Sequence, residues 1–270
     1  MATVHPALSP YVRSVVAYDV DFAGPGIHIG MPSTDLTWVL PFDEPLVVSW
    51  DGEPGSRRSG WTSVSGLHTR PAAVEHGLRQ RGLQLSLTVA GARALWGVPA
   101  GALAGHLLDL SDVAPRLTDL PDRLTAARST AALGELERTL LDAVRRARAP
   151  GPRPEVARAM ALLTRGAAVA ATADEVGYSR RRLSTLVREE SGVGPKTLQR
   201  LSRFAASHAL VRRAALADEV SLARVAADAG YADQSHLARE WGELAGCSPT
   251  EWLRREFPNV QAVAAQDRGA

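Results

Sequence analysis

Cysteine and lysine are almost absent from this chain, and long hydrophobic runs are missing. Cys247 is the single cysteine among 270 residues, which excludes an internal disulfide and a cysteine-rich metal site. Lys196 is the single lysine, so nearly all positive charge is arginine, whose rigid donor group suits phosphates and guanine edges. The apolar runs are well below the roughly 20 residues that span a bilayer. With no signal segment at the start, we expect a soluble cytoplasmic protein without a membrane partner.

Metal-binding and catalytic patterns are also missing. The 7 histidines form neither a His-x-His pair nor a His-Glu-x-x-His run. The chain also shows no Ser-His-Asp constellation in its first half. We therefore expect no metal site, no cofactor and no catalytic step.

The chain divides into two parts of different composition. We predict an α+β two-domain protein, with an N-terminal β-rich cupin-like barrel plus helices and a C-terminal all-α domain. The first domain covers residues 1–148, and residues 149–154 form a proline-rich linker that cannot continue a helix. The helical domain covers residues 155–256, and residues 257–270 form a tail.

The first domain combines β-prone stretches at 36–40, 45–50 and 83–89 with one amphipathic helix at 129–148. The apolar stripe of that helix, which includes Leu133, Leu136, Leu140 and Val144, either packs on its own domain or contacts a second copy. Six side chains are candidates for a ligand pocket, although three tryptophans can equally fill a small barrel. The candidates are Trp38, Trp50, Trp61, His28, His68 and Arg70.

The helical part contains an internal repeat. Residues 173–198 and 226–252 share Ala, Gly-Tyr, Leu, Gly and Pro in the same order, with one extra residue in the second copy. Each copy predicts a short helix, a turn with a glycine at positive φ (Gly177, Gly230), and a second helix capped by Ser179 or Asp233. The repeat therefore predicts two helix-turn-helix units.

The exposed faces of the two second helices carry polar and basic residues of the types that read base edges in a DNA major groove. A solvated surface without DNA contact is the alternative, and His236 in particular is as well explained by it. The predicted base contacts are Arg181, Ser184, Thr185, Gln234, Ser235, His236 and Arg239. The predicted phosphate contacts are Ser179, Arg180, Arg182, Arg188, Lys196, Arg200 and Arg203.

Charge is distributed unevenly between the two units. Residues 158–203 contain nine Arg or Lys against four Asp or Glu, whereas residues 204–256 contain six against eight. We therefore expect the first unit to supply most of the affinity for phosphates. Trp241 and Trp252 are predicted to lie in the core, since their repeat partners are aliphatic.

The segments DEVGYS at 174–179, AGYADQSHL at 229–237 and GCSP at 246–249 closely resemble the AraC/XylS family of bacterial regulators. The resemblance covers about residues 155–256. It implies seven helices, with a long helix at about 195–213 between the two units, and recognition helices that enter successive major grooves. It also implies base contacts at six of the seven positions given above, all except Gln234.

The first domain resembles, over shorter stretches at 5–8, 66–71 and 91–100, a β-rich sensor-like module of actinobacterial regulators. Together the two resemblances predict a sequence-specific transcription regulator whose first domain senses a small molecule or dimerises. The expected partners are double-stranded promoter DNA, RNA polymerase if the protein is an activator, a second copy of the chain and an unidentified effector. An enzyme anchored to DNA and a small-molecule binder with incidental basic helices are the alternatives.

Overall fold

The computed structural model describes residues 4–127, 129–147 and 151–256, without the side chains of residues 129 and 130. The predicted tail at 257–270 lies outside the described residues, and so do positions 149 and 150 of the predicted linker.

Nine strands lie in the first half of the described chain. They are β1 Val12–Asp21, β2 Gly26–Gly30, β3 Leu36–Pro41, β4 Leu46–Trp50, β5 Glu53–Gly60, β6 Ser63–Ser65, β7 Ala72–His76, β8 Arg79–Leu87 and β9 Leu107–Leu108. One antiparallel sheet has the order β1-β8-β3-β6-β9, and the other has the order β2-β7-β4-β5. The two sheets face each other.

This arrangement corrects the prediction of a cupin-like barrel, because the described strands form two open sheets rather than one closed barrel. A barrel closes only when the edge strands form hydrogen bonds with each other. The edge strand β9 has only two residues, and the edge strand β5 is mostly exposed and carries Arg57 and Arg58. Short and charged edges of this kind do not pair further.

Alternation along β3 shows how the five-stranded sheet separates two environments. Leu36, Trp38 and Leu40 are fully buried on one face of β3. Thr37 and Val39 lie on the other face, which faces the four-stranded sheet. The buried face is covered by helices. The first domain therefore has three layers: the four-stranded sheet, the five-stranded sheet and a helical layer.

The helical layer consists of α1 Val89–Trp96, α2 Leu110–Val113, α3 Leu120–Ala126 and α4 Ser129–Arg146. Thr88 caps α1, so the β8 strand ends two residues before the predicted boundary at position 89. In α4, Leu136 and Leu140 are buried against α1, α3 and the residues near position 8. Of the two alternatives for the apolar stripe, the structure has the one in which it packs on its own domain.

Seven helices follow in the described part of the C-terminal half: α5 Pro154–Thr164, α6 Val169–Glu175, α7 Arg180–Ser191, α8 Pro195–Leu216, α9 Leu222–Asp228, α10 Gln234–Ala245 and α11 Pro249–Glu256. Pro154 is the first residue of α5, so the predicted linker overlaps this helix by one residue. Proline is favoured there because its missing amide hydrogen has no helical partner at that position.

The two domains pack against each other at the end of α7. Arg93 of α1 donates through Nε and Nη2 to the Glu190 carboxylate, at 3.0 and 2.9 Å, and both side chains are mostly buried. Next to this pair, Gly101 and Ala104 lie against the last turn of α7 and against Gly192. A Cβ on Gly192 would overlap the Cβ of Ala104, so the two backbones approach closely because glycine stands there.

This contact predicts different effects for two glycine substitutions. Gly192 has φ 81° and Gly177 has φ 71°, so alanine carries a similar backbone cost of roughly 1–2 kcal/mol at either position. Gly177 has open space around it, whereas Gly192 meets the first domain. We expect Gly192→Ala to lower the unfolding free energy in urea by about 1–3 kcal/mol more than Gly177→Ala does. Equal losses would show that the domain contact does not constrain Gly192.

Candidate DNA-binding interface and ligand cavity

The turns of the two repeat copies have the same backbone hydrogen bonds. In the first copy the amide of Gly177 donates to the backbone carbonyl of Asp174, and the amide of Tyr178 donates to that of Ala173. In the second copy the amide of Gly230 donates to the backbone carbonyl of Ala227, and the amide of Tyr231 donates to that of Ala226. Gly177 and Gly230 both have positive φ, as predicted. The two glycines end α6 and α9 in the same way, and each chain segment turns directly into the next helix.

Side-chain caps start the second helix of each copy. Ser179 Oγ accepts from the amide of Arg182 at 3.2 Å, and Asp233 Oδ1 accepts from the amide of His236 at 2.7 Å. Both predicted caps are confirmed. Behind them Leu183 and Leu237 are fully buried at equivalent positions, which fixes the face that each helix turns to solvent. The two helix-turn-helix units are therefore confirmed as local structures.

The outer face of α7 is basic. Arg180, Arg181, Arg182 and Arg188 are exposed, and none of them forms an ion pair within the described residues. Their charge is therefore available to an anion. The hydroxyls of Ser184 and Thr185, which lie on the same side, donate to the carbonyls of residues 180 and 181. Each hydroxyl oxygen keeps a lone pair, so both side chains are set up as acceptors towards a base edge.

The outer face of α10 carries fewer charges. Gln234, Ser235 and Arg239 are exposed, and His236 is partly covered by the Tyr231 ring, with 5.2 Å between ring centroids. The amide of Ala232 donates to His236 Nδ1 at 3.4 Å. A neutral His236 therefore carries its proton on Nε2, which makes that nitrogen a donor. This face offers one guanidinium, one amide, one hydroxyl and one imidazole.

Arg200 and Arg203 on α8 are not arranged as the sequence suggested. Arg203 donates through Nε and Nη2 to the Glu240 carboxylate at 3.1 and 2.7 Å, and Arg200 donates to Glu240 at 3.2 Å and also to Glu243. The hydroxyl of Tyr231 donates to the same carboxylate at 3.0 Å. The two arginines that were predicted to contact phosphates thus tie α8 to α10.

Sequence reasoning missed Glu240, although a signal for it exists. Its position falls within the inward stripe of α10 that includes Leu237, Trp241 and Leu244, where a carboxylate is costly unless it is paired. Burial raises the pKa of Glu240, but the hydrogen bonds from Arg203 and Tyr231 outweigh it, so the pKa lies below its usual value. Glu240 is therefore ionised at neutral pH. It holds the second unit on the long helix.

A cavity of about 290 Å³ lies between the two sheets of the first domain. Aliphatic side chains of both sheets, such as Val16, Val39 and Val48, form much of its wall. Its polar side chains are Tyr18, His28, Thr37, Ser63, Ser65, His68, Gln80 and Gln84. The volume is at the lower end of the range for small-molecule sites.

Only His28 and His68 of the six predicted pocket residues line this cavity. Trp38 lies on the opposite face of β3, in the core, with its ring 5.8 Å from that of Trp96. Trp61 is exposed, and Trp50 is buried beside His68, with Arg70 over its ring. Trp38 and Trp50 therefore fill the interior, which is the alternative that the sequence left open.

Residues 156–255 match a family model described as a helix-turn-helix domain. The chain carries a DNA-binding domain of the AraC type. Together with the two equivalent turns, this assigns the protein as a transcription regulator that binds DNA. No curated protein sequence matches the chain.

Several solved structures share the two-domain fold of this chain. An apo variant of ToxT from Vibrio cholerae is 12% identical, with a TM-score of 0.53, over 89% of this chain and 97% of that chain. Wild-type ToxT from Vibrio cholerae bound to an unsaturated fatty acid is 12% identical, with a TM-score of 0.52, over 94% and 97% of the two chains. ToxT bound to (E)-4-(8-methylnaphthalen-1-yl)but-3-enoic acid is 11% identical, with a TM-score of 0.50, over 89% and 97%.

Two further observations concern the predicted absences. No helix among the described residues is long and apolar enough to cross a membrane. Among the same residues, no group of three or more His, Cys, Asp or Glu side chains is arranged to hold a metal ion.

Cys247 is buried in the AraC-type domain, and burial raises the pKa of its thiol.

Proposed function

We propose that this regulator binds promoter DNA by inserting α7 and α10 into successive major grooves, and that a small molecule in the first domain controls this binding. The observation that carries the DNA-binding mode is the equivalence of the two turns, because each presents its following helix by the same backbone geometry. The connecting helix α8 has 22 residues. At 1.5 Å per residue it is about 33 Å long, close to the roughly 34 Å of one DNA turn.

The two recognition helices differ in role. Four unpaired arginines on α7 favour the first unit as the main source of phosphate affinity, with Arg181, Ser184 and Thr185 towards the bases. On α10, Gln234, Ser235, His236 and Arg239 add discrimination between sequences. Ser179 and Lys196 stay predicted phosphate contacts, whereas Arg200 and Arg203 are better explained as structural.

Two contacts support a sensing role for the first domain. The cavity wall includes His28, and the next residue, Ile29, donates its amide to the Glu256 carboxylate of α11 at 3.4 Å. The second contact is the packing of Gly101 and the Arg93–Glu190 pair on α7. The first domain thus touches α7 of the first unit and α11, the helix that follows the second unit, so a ligand that favours one packing changes how the units are held. The ligands of the ToxT structures are precedents for small-molecule binding in this fold.

The test of DNA binding is a genome-wide binding assay of the purified protein, followed by mobility-shift assays on the promoter fragments that it recovers. We expect retardation of specific fragments at nanomolar protein concentration. Failure to retard any promoter fragment at low salt would instead favour a small-molecule binding protein with incidental basic helices. Cytoplasmic location, activation through RNA polymerase and self-association stay predictions.

Arg239 provides a test of base reading by α10. Because arginine donates two parallel hydrogen bonds to guanine, Arg239→Ala is expected to relax the preference at one base position by roughly 1–3 kcal/mol. Competition binding against operators that differ at single positions measures this. Arg224→Ala is the control, since Arg224 on α9 is already close to Asp228, at 3.7 Å. A uniform loss of affinity for all operators would place Arg239 on the backbone of the DNA instead.

A further inference from the structure

The cavity between the two sheets has no charged side chain in its lining. Aspartate, glutamate, lysine and arginine are all absent from the described residues that form the wall. The polar positions are hydroxyls, amides and imidazoles, which donate and accept hydrogen bonds without carrying charge. The composition of the wall therefore favours a ligand with hydrogen-bonding groups on an apolar body.

The titratable groups of the wall are also neutral near pH 7. Burial lowers the pKa of His28 to about 4, with His76 adding to the effect, and burial lowers the pKa of His68 to about 4. Burial raises the pKa of Tyr18 to about 12. The Nδ1–H of His68 donates to the carbonyl of Arg70 at 2.6 Å, which leaves Nε2 of the neutral ring as an acceptor.

The arginines on the strands that line the cavity are already neutralised, whereas Arg58 on the neighbouring strand β5 is exposed and forms no ion pair within the described residues. The arginines on the lining strands β1 and β8 and on the segment before β7 each have a carboxylate partner. The pairs are Arg13–Asp35, Arg79–Asp19, Arg81–Asp43 and Arg70–Glu53. Any of these four guanidinium groups that turned inward to meet an anionic ligand would have to leave its partner, which would raise the free-energy cost of binding an anion further.

We propose that the effector of this regulator is an uncharged small molecule and that the cavity discriminates against carboxylic acids in their ionised form. A carboxylate that enters a cavity lined largely by apolar side chains and without a cation loses part of its hydration and gains no compensating ion pair. This inference rests on the proposed sensing function and specifies its ligand class. It separates this chain from the ToxT structures, whose bound ligands are a fatty acid and a butenoic acid.

The experiment compares probes that share an apolar body and carry either a neutral hydroxyl or an anionic carboxylate at one end: 1-hexanol with hexanoate, 1-decanol with decanoate, and 4-propylphenol with 4-propylbenzoate. Binding to the full-length protein at pH 7 is measured by calorimetry and by the shift of the melting temperature. We expect the uncharged member of at least one pair to bind saturably, and its acid to bind at least about tenfold more weakly.

Two variants test where the probes bind and whether the missing cation explains the weaker binding of the acids. Val48→Trp fills the cavity and should abolish binding of the uncharged probe, while an unchanged circular dichroism spectrum and cooperative thermal unfolding show that the first domain of the variant is folded. Gln84 lies in the wall but is exposed, so Gln84→Arg adds a hydrated cation at the mouth. We expect this variant to bind the acid at least about tenfold more tightly than the wild type does, with little change for the alcohol.

The outcomes separate the inference from the function on which it rests. Acids that bind the wild type as tightly as their alcohols, with binding lost in Val48→Trp, would overturn the uncharged ligand and leave the sensing role intact. Absence of saturable binding for all six probes would count against both the inference and the sensing role, and DNA binding would be unaffected. An unchanged acid affinity in Gln84→Arg would contradict the electrostatic explanation.

Discussion

Glu240→Gln is expected to lower the unfolding free energy of the AraC-type domain by about 3–5 kcal/mol. The Glu240 side chain is only 5% exposed, and its carboxylate accepts hydrogen bonds from Arg200, Arg203 and Tyr231. An amide of the same shape loses the charge that two guanidinium groups face, and its NH₂ group cannot accept. The loss is large because Arg203 is left mostly buried without an ion-pair partner, and Arg200 keeps only the exposed Glu243.

Urea unfolding followed by tryptophan fluorescence measures this change, because Trp241 and Trp252 lie in the same core as the α8–α10 contact. Glu243→Gln is the matched control. Glu243 also pairs with Arg200, but its side chain is 64% exposed, so its removal is expected to cost less than about 1 kcal/mol. Equal effects of the two substitutions would contradict the role of burial in this cluster.

The same cluster predicts an acid-sensitive domain. The folded-state pKa of Glu240 lies below its usual value, so the ionised form is favoured by folding. Its contribution is therefore fully present above about pH 4.5, the pKa of an unperturbed glutamate, and is lost as the pH falls through the lower folded-state pKa. The difference in unfolding free energy between wild type and Glu240→Gln should shrink over that acid range. A constant difference down to pH 3 would show that charge is not the cause.

Combined replacement of Arg180 and Arg182 by alanine is expected to weaken DNA binding on the order of a hundredfold at 0.1 M salt. Both side chains are exposed at the start of α7 and lack an ion pair within the described residues, so each is free to neutralise a phosphate. Every phosphate contact contributes about 0.9 to the slope of log affinity against log salt. The slope should therefore become shallower by about 2, for specific and non-specific DNA alike.

Binding measured by fluorescence anisotropy between 50 and 200 mM salt tests this. Arg158→Ala is the control from the same domain, because Arg158 already donates to Glu175 at 2.7 Å and its charge is balanced by that carboxylate. It should leave the slope unchanged. If the double variant kept the wild-type slope, the first unit could not be the electrostatic anchor, and the second unit would have to supply the phosphate contacts.

These two predictions concern opposite uses of arginine that the sequence does not distinguish. Arg182 and Arg203 both lie in the basic first repeat copy or directly after it, and both were expected to contact phosphates. The structure leaves Arg182 in solvent and turns Arg203 onto Glu240 and the Tyr231 ring. The difference depends on a carboxylate 37 residues further along the chain, which no local pattern around Arg203 indicates.

Local signals explain why the helix-turn-helix units could be predicted in detail. Gly177, Gly230, Ser179 and Asp233 act on backbone groups within five residues of themselves, so their effect is present in the sequence alone. Helical periodicity acts over the same short range, and the fully buried Leu183 and Leu237 follow it. The internal repeat aligns the two units residue by residue. This alignment also predicts which residues each recognition helix exposes.

The first domain was predicted less well because sheets depend on distant pairing. Strands near 36, 46 and 83 were expected, but the sequence does not state that β3 lies between β8 and β6 while β4 joins the other sheet. That pairing decides which face of β3 meets the helices and which meets the cavity. Trp38 was therefore assigned to a pocket although it belongs to the core, and Gln80 and Gln84 were not recognised as cavity residues.

Capping, turn conformation and helical period act over a few residues, so the two helix-turn-helix units with basic and polar outer faces could be predicted from the amino-acid sequence alone. Long-range packing is needed to establish which arginines are unpaired, what lines the cavity, and that the first domain packs on the end of α7. Those features require Glu240, the two sheets and Gly192 to meet residues far along the chain. Their free energies depend on burial, which exists only once the chain has folded.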